Sequence, residues 1–284
     1  MRLIERGMKS LAARVRNLQQ TSCYLSLAGL ALGVLFFATR PAAAQRLLVP
    51  AAPAASSAGA AVKSEPPSIV IGFMGGMIKR DSPHRSEVLL ARKLREEYSN
   101  SAYVDTYENA RWKEARDKIL SLLDKDRDGE LSADEKGNAR IILFGHSWGA
   151  SAAVTLAREL RDLGIPVLLT VQVDSVQKMG QKDDVIPANV EEAMNFFQPD
   201  GMLHGRKLIR AEDPSKTKIL GNQALSYKHT ALSCKGYPWH QRTFAKEHMY
   251  IECDPQVWSQ IESLIRSKLP QVRAETHESD LHGN

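Results

Sequence analysis

Arg140-Ile141-Ile142-Leu143-Phe144-Gly145-His146-Ser147-Trp148-Gly149-Ala150 is the stretch on which the reading of this chain turns. Residues 140–144 form an apolar, largely β-branched and aromatic run of strand length. From Ser151 to Leu163 the composition changes to Ala and Leu at helical spacing, and Gly164 stops the run. Between the two lies the pattern G-x-S-x-G. Its glycines let a strand and the helix after it approach closely, with the serine on a tight, strained turn. The turn lifts the Ser147 hydroxyl off the carboxyl end of the strand. There the helix dipole and backbone N–H groups face a reacting oxygen. The bland alternative is a glycine-rich turn whose serine merely caps the helix.

Working outward, strand-like and helix-like segments alternate. Ser68-Ile69-Val70-Ile71, ended by Gly72, and Ala102 to Tyr107 read as strands before the turn. Pro166 to Val173 is the strongest strand after it, and Lys207 to Arg210 is a further candidate. Pro83 to Tyr98 reads as a helix capped by Ser82, and Val190 to Phe197 as helix-like. Trp112 to Leu123 is amphipathic, with Ala115, Ile119 and Leu122 on one face. A closing helix from Pro255 to Leu269 is capped by Asp254 and turns Val257, Ile261, Leu264 and Ile265 inward. Strands apolar almost throughout, alternating with helices, predict an α/β fold: a mostly parallel central sheet flanked by helices on both faces. Sites in such sheets form beyond the carboxyl ends of the strands.

The ends of the chain read differently. Residues 1–44 open with Arg2, Arg6, Lys9, Arg14 and Arg16, continue as an apolar run from Tyr24 to Thr39, and end in Pro41-Ala42-Ala43-Ala44. This predicts an export signal cut after Ala44. The run is shorter than the roughly 20 residues a membrane span needs, which disfavours an uncleaved anchor. Residues 45–67, rich in Ala, Pro and Ser, read as a linker, 68–270 as one domain, and 271–284 as a frayed polar tail. The expected location is therefore periplasmic or secreted, with contact to a membrane only through the N-terminal segment. Six of the 38 basic and one of the 33 acidic side chains lie in residues 1–44, leaving 32 of each. That balance gives no basic patch for nucleic acid. Two of the three cysteines, Cys234 and Cys253, lie beyond the signal and can pair in an oxidising compartment.

With its G-x-S-x-G turn between strand and helix, the chain resembles the α/β-hydrolase superfamily, in particular its small esterases and lipase-like members. The resemblance covers about 68 to 270. It implies a nucleophile, an acid and a histidine in that chain order, with Ser147 as nucleophile. It implies that the acid follows a later strand: Asp174, directly after Val173, with Asp183 and Asp184 as competitors. It implies that the histidine precedes the closing helix: His248, with His229 and His240 in the same connection. The resemblance further implies that the loop Gly72-Phe73-Met74-Gly75-Gly76 donates one oxyanion-hole N–H, from Phe73 or Met74 with Phe73 preferred, and that Trp148 supplies the other. The histidine common before that first glycine is Ile71 here, a departure that does not touch a backbone donor.

A second motif stands apart. Asp124-Lys125-Asp126-Arg127-Asp128-Gly129-Glu130-Leu131-Ser132-Ala133-Asp134-Glu135 fits D-x-[DN]-x-[DN]-G-x₅-E throughout. Calcium takes six to eight oxygens, and Asp124, Asp126, Asp128, the Glu130 carbonyl, Ser132 and a bidentate Glu135 supply them. An entering helix is present, the exiting one is unconvincing, and no second loop exists to pair with. The expectation is a single EF-hand-like loop holding a structural Ca²⁺ just before the strand of the serine turn, not a calcium sensor.

The function expected is an exported serine hydrolase cleaving small-molecule or lipid carboxylic esters. The alternative is a non-catalytic, calcium-stabilised binding module on the same scaffold. No long apolar insertion marks a lid, and the sequence is silent on oligomeric state.

Overall fold

A computed structural model describes residues 67–230, 232–237, 239 and 245–271. The segment expected to be an export signal, nearly all of the expected linker, most of the expected tail and His240 fall outside these residues. Six strands form one parallel sheet in the order β2-β1-β3-β4-β6-β8. They are β1 (Ser68–Met74), β2 (Ala102–Glu108), β3 (Ile141–His146), β4 (Val167–Val173), β6 (Val190–Phe197) and β8 (Lys218–Ala224). Two short strands, β5 (Val185–Ile186) and β7 (Arg210–Ala211), pair separately.

The alternation of side chains along each strand assigns the core to two faces. Ile69, Ile71, Phe73, Ile141 and Leu143 pack on one face, against α2 (Trp112–Leu123) and α4 (Trp148–Asp162). Val70, Ile142, Phe144, Val171 and Val173 pack on the other, against α1 (Ser86–Glu97) and α6 (Pro255–Arg266). Both faces are covered, which is why these strands read as continuous apolar runs. Asp254 caps α6 by accepting from the N–H of Gln256 at 2.9 Å, and Pro255 occupies its first turn.

Three expectations change. Val190–Phe197 is strand β6, not helix. Glu191, Glu192, Ala193 and Met194 favour helix locally, but the segment lies between β4 and β8, with Val190, Ala193 and Phe196 fully buried. Tertiary packing overrides propensity here. The helix expected from Pro83 begins at Ser86, because Arg85 keeps an extended backbone and donates to Glu252. The strand expected at Lys207–Arg210 is only the β7 pair, and β8 completes the sheet instead.

The elbow works by close approach. A Cβ on Gly149 would lie 2.1 Å from the Phe73 carbonyl oxygen, and one on Gly145 would lie 2.6 Å from the Gly149 carbonyl carbon. β1, β3 and α4 therefore meet with no room for a methyl group. Farther along, a Cys234–Cys253 disulfide ties residue 234 to the end of α5 (Lys246–Cys253). Among the described residues, no helix is long and apolar enough to cross a membrane.

Replacing Gly149 with Ala should lower unfolding stability by at least the 1–3 kcal/mol typical of an overpacked core. The contact is to backbone and cannot rotate away. Denaturant unfolding of the variant beside the parent checks this, and an unchanged midpoint would refute the close-packed elbow.

Candidate active site

Ser147 joins β3 to α4 with φ 57° and ψ −125°, a conformation that L side chains rarely adopt. Neighbouring backbone holds it there. Its N–H donates to the Val173 carbonyl at 2.9 Å, and the Val176 N–H donates to its carbonyl at 3.3 Å. Asp174, the residue after β4, is also left-handed, with φ 43°. Both side chains thus leave the carboxyl ends of adjacent strands.

The Asp174 carboxylate is fully buried. Oδ1 accepts from the N–H groups of Gln198 (3.1 Å) and Gly205 (2.8 Å). Oδ2 accepts from Gln198 Nε2 (2.9 Å) and lies 2.6 Å from His248 Nδ1. A carboxylate accepts, so Nδ1 is the donor in this pair and Nε2 is the ring nitrogen turned away from Asp174. His248 and Ser147 line one cavity of about 310 Å³, together with Gly75, Met77, Trp148 and Leu203. The structure thus brings Ser147, Asp174 and His248 together. It places His248 on the first turn of α5, where a loop was expected; the disulfide closes that helix at Cys253.

The competitors stand elsewhere. Asp183 is buried, accepting from Ser175 Oγ at 2.6 Å and pairing with Arg206 at 2.7 Å. Asp184 pairs with Arg210, and His229 is exposed. Trp148 opens α4, where the first N–H groups of a helix have no intrahelical partner. Phe73 departs from expectation. Strand β1 continues through Met74, and the Phe73 ring is buried against Tyr107. The reason is Gly72, which is not a turn glycine: a Cβ there would lie 2.6 Å from the Phe144 ring, so Gly72 makes room for that ring inside the sheet. The residues of this loop that reach the cavity are Gly75, Gly76, Met77 and Ile78. Gly75 abuts the elbow, since a Cβ there would lie 3.1 Å from Ser147 Cβ.

Sequence reasoning missed the residues that support the site. Gln198 and Gly205 hold Asp174, and a Cβ on Gly205 would lie 2.2 Å from the Asp174 carbonyl carbon. Arg85, His146 and Glu252 also line the cavity, and they and the neighbouring Glu87 are all buried. Arg85 donates to both Glu252 oxygens at 2.9 and 2.7 Å. The His146 ring lies 4.4 Å from that of His248. Burial, then the neighbouring His248 and Arg85, push His146 well below its ordinary range, so it is neutral. Burial, then the Glu252 carboxylate, push Glu87 well above its own. No local pattern announces these groups, because a charged residue on an amphipathic helix reads as solvated until the fold buries it.

The acidic twelve-residue loop runs between α2 and the short helix α3 (Ala133–Gly137). One carboxylate oxygen from each of Asp124, Asp126 and Asp128 lies within 4.8 Å of the others, about the span of two Ca–O bonds. Gly129 turns at φ 86°, and buried Asp124 Oδ1 has no hydrogen-bond partner. Ser132 and Glu135 form a capping box. Glu135 Oε2 accepts from the Ser132 N–H at 2.9 Å, and Oε1 accepts from the Lys125 N–H at 2.7 Å. The donor set and the unpartnered oxygen fit a hard dication, and Glu135 already reaches back over the start of the loop.

No family model and no curated protein matches the sequence. Among solved structures the chain is similar to an esterase from Pyrobaculum calidifontis, at 14% identity over 71% of this chain and 78% of that one, TM-score 0.35. It is similar to an acetylxylan esterase, at 9% identity over 72% and 98%, TM-score 0.35. It is also similar to a dienelactone hydrolase-like phosphotriesterase from metagenomic libraries, at 14% over 73% and 89%, TM-score 0.34. Likenesses this loose leave the chemistry to the site's own geometry.

Gln198→Ala removes a side-chain donor from a buried carboxylate. The expected loss of stability is about 1–3 kcal/mol, the penalty for an under-satisfied buried acceptor. Urea unfolding measures it, and a loss below a few tenths would mean that Gln198 does not hold Asp174.

Proposed function

We propose that the protein is a serine hydrolase of carboxylic esters. One observation carries this reading: a buried Asp174–His248 pair at 2.6 Å opens on the same cavity as a serine held at strained φ. Ser147 Oγ attacks the acyl carbonyl while His248 Nε2 takes its proton. The imidazolium is held by Asp174, and its proton passes to the departing alcohol. Water, deprotonated by His248, then attacks the acyl-enzyme. The carboxylic acid leaves, and the proton returns to Ser147. The oxyanion is received by the N–H of Trp148 and by a loop donor at Gly75 or Gly76, in place of Phe73. Each such donor typically contributes about 2.7–4 kcal/mol in the transition state. Exposed Met77 and half-exposed Leu203 at the cavity favour an apolar acyl or alcohol group.

A p-nitrophenyl ester series differing in acyl length should be turned over by the parent and not by Ser147→Ala. Turnover by Ser147→Ala equal to the parent would overturn Ser147 as nucleophile, and no turnover by the parent would favour the binding-module alternative.

The same proposal includes Ca²⁺ held by Asp124, Asp126, Asp128, the Glu130 carbonyl, Ser132 and Glu135. When bound, the ion supplies a structural clip between α2 and β3 and no chemistry to the ester. It also includes export, with which the Cys234–Cys253 bridge agrees. Ligand binding at one hundred times Kd adds about 2.7 kcal/mol, equivalent to about 5–10 °C in Tm for a domain of this size. Chelation with EGTA should lower Tm by that order, and Asp124→Asn, at the loop position where the motif takes only aspartate, should abolish the difference. An identical Tm with calcium and with EGTA would refute the site.

A further inference from the structure

Glu87, His146 and Glu252 come together at the cavity, and the mechanism above uses none of them. All three are buried, and one potential ligand atom of each lies within 4.8 Å of the others. The position of the proton on His146 follows from its neighbours. Nε2 lies 3.2 Å from the backbone carbonyl of His248. A carbonyl only accepts, so Nε2 carries the N–H and Nδ1 bears the lone pair. Nδ1 faces Glu252 Oε2 at 3.4 Å, beyond ordinary hydrogen-bond length. Both oxygens of Glu87, a fully buried side chain, have no hydrogen-bond partner. Three potential ligand atoms therefore converge, and among the described residues no group is hydrogen-bonded to either Glu87 oxygen. Arg85 engages both oxygens of Glu252, so the cluster sets two carboxylates against one guanidinium.

We propose that Glu87, His146 and Glu252 form a binding site for a divalent first-row transition ion of the zinc type. In tetrahedral coordination, nitrogen and oxygen ligands stand about 3.4 Å apart, which is the separation of His146 Nδ1 and Glu252 Oε2. One imidazole and two carboxylates suit zinc, cobalt or manganese better than calcium. The Nε2–H donated to a backbone carbonyl is the usual outer partner of a metal-bound histidine. That carbonyl belongs to His248, so an ion on Nδ1 braces the turn carrying the imidazole of the active-site pair. The ion is a positioning element, not a participant in ester cleavage.

Cobalt(II) is the probe, added to chelator-stripped protein with calcium in excess so that the acidic loop is filled. We expect one equivalent to bind, with the visible bands of a low-symmetry N/O site, and to be displaced by Zn²⁺. The bands should be lost in Glu87→Gln and kept in Glu135→Gln. Should Glu87→Gln not accumulate, Glu87→Ala serves. A parent protein showing no cobalt bands, or equal bands in the Glu87 variant, overturns the proposal and leaves a proton on the carboxyl pair as the cluster's cation. Because the readout is metal binding, it is independent of whether ester hydrolysis is found.

Discussion

The contact between backbone and backbone at the elbow governs the rest of the molecule. Gly145 and Gly149 let β3, β1 and the first turn of α4 meet at distances that exclude a methyl group. With that contact made, Ser147 is forced to positive φ, and its amide and carbonyl are bonded to residues at and just after the end of β4. The strain at one residue is held by packing that spans three elements. Asp174 is set by the same logic on the neighbouring strand, again left-handed and again closed by a glycine, Gly205.

From this frame the polar groups are arranged in depth. Asp174 has its oxygens satisfied by two backbone N–H groups and one side-chain amide before His248 reaches it. A buried carboxylate so supplied fixes which ring nitrogen faces it. Beneath the histidine, the His146 ring packs on the His248 ring and bonds its backbone carbonyl. The second x of the elbow, Trp148, and the first x, His146, both line the cavity, His146 next to the Arg85–Glu252 pair. One five-residue turn thus feeds both the reactive face and its buried support.

The fold was largely legible because two-sided burial writes itself into composition. Apolar runs at 68–71, 140–144 and 166–173 cannot be solvated, and each became a strand. Val190–Phe197 was not legible: its glutamates and Ala-Met pair carry helical propensity, and only pairing with β4 and β8 makes it extended. Gly72 was read as a turn glycine, because a glycine that accommodates a ring and a glycine that makes a turn look alike in a string of letters. In the acidic loop, ligand types and spacing were visible, whereas the capping role of Glu135 toward Ser132 needed coordinates.

What the sequence by itself determined is local: the strand, turn and helix around Ser147, the twelve-residue acidic loop, and an α/β class from the alternation of segments. Each depends on residues within about a dozen positions, so hydrophobic period and glycine placement suffice. Only the tertiary structure decided what approaches Ser147 from afar. His248 is 74 residues from Asp174, and Glu252 is 167 residues from Arg85. Such pairs are made by the packing of α1 and α5 around the carboxyl ends of the central strands β3 and β4. No propensity of the residues themselves encodes them, because burial, which turns a surface charge into a partner, is a property of the whole fold.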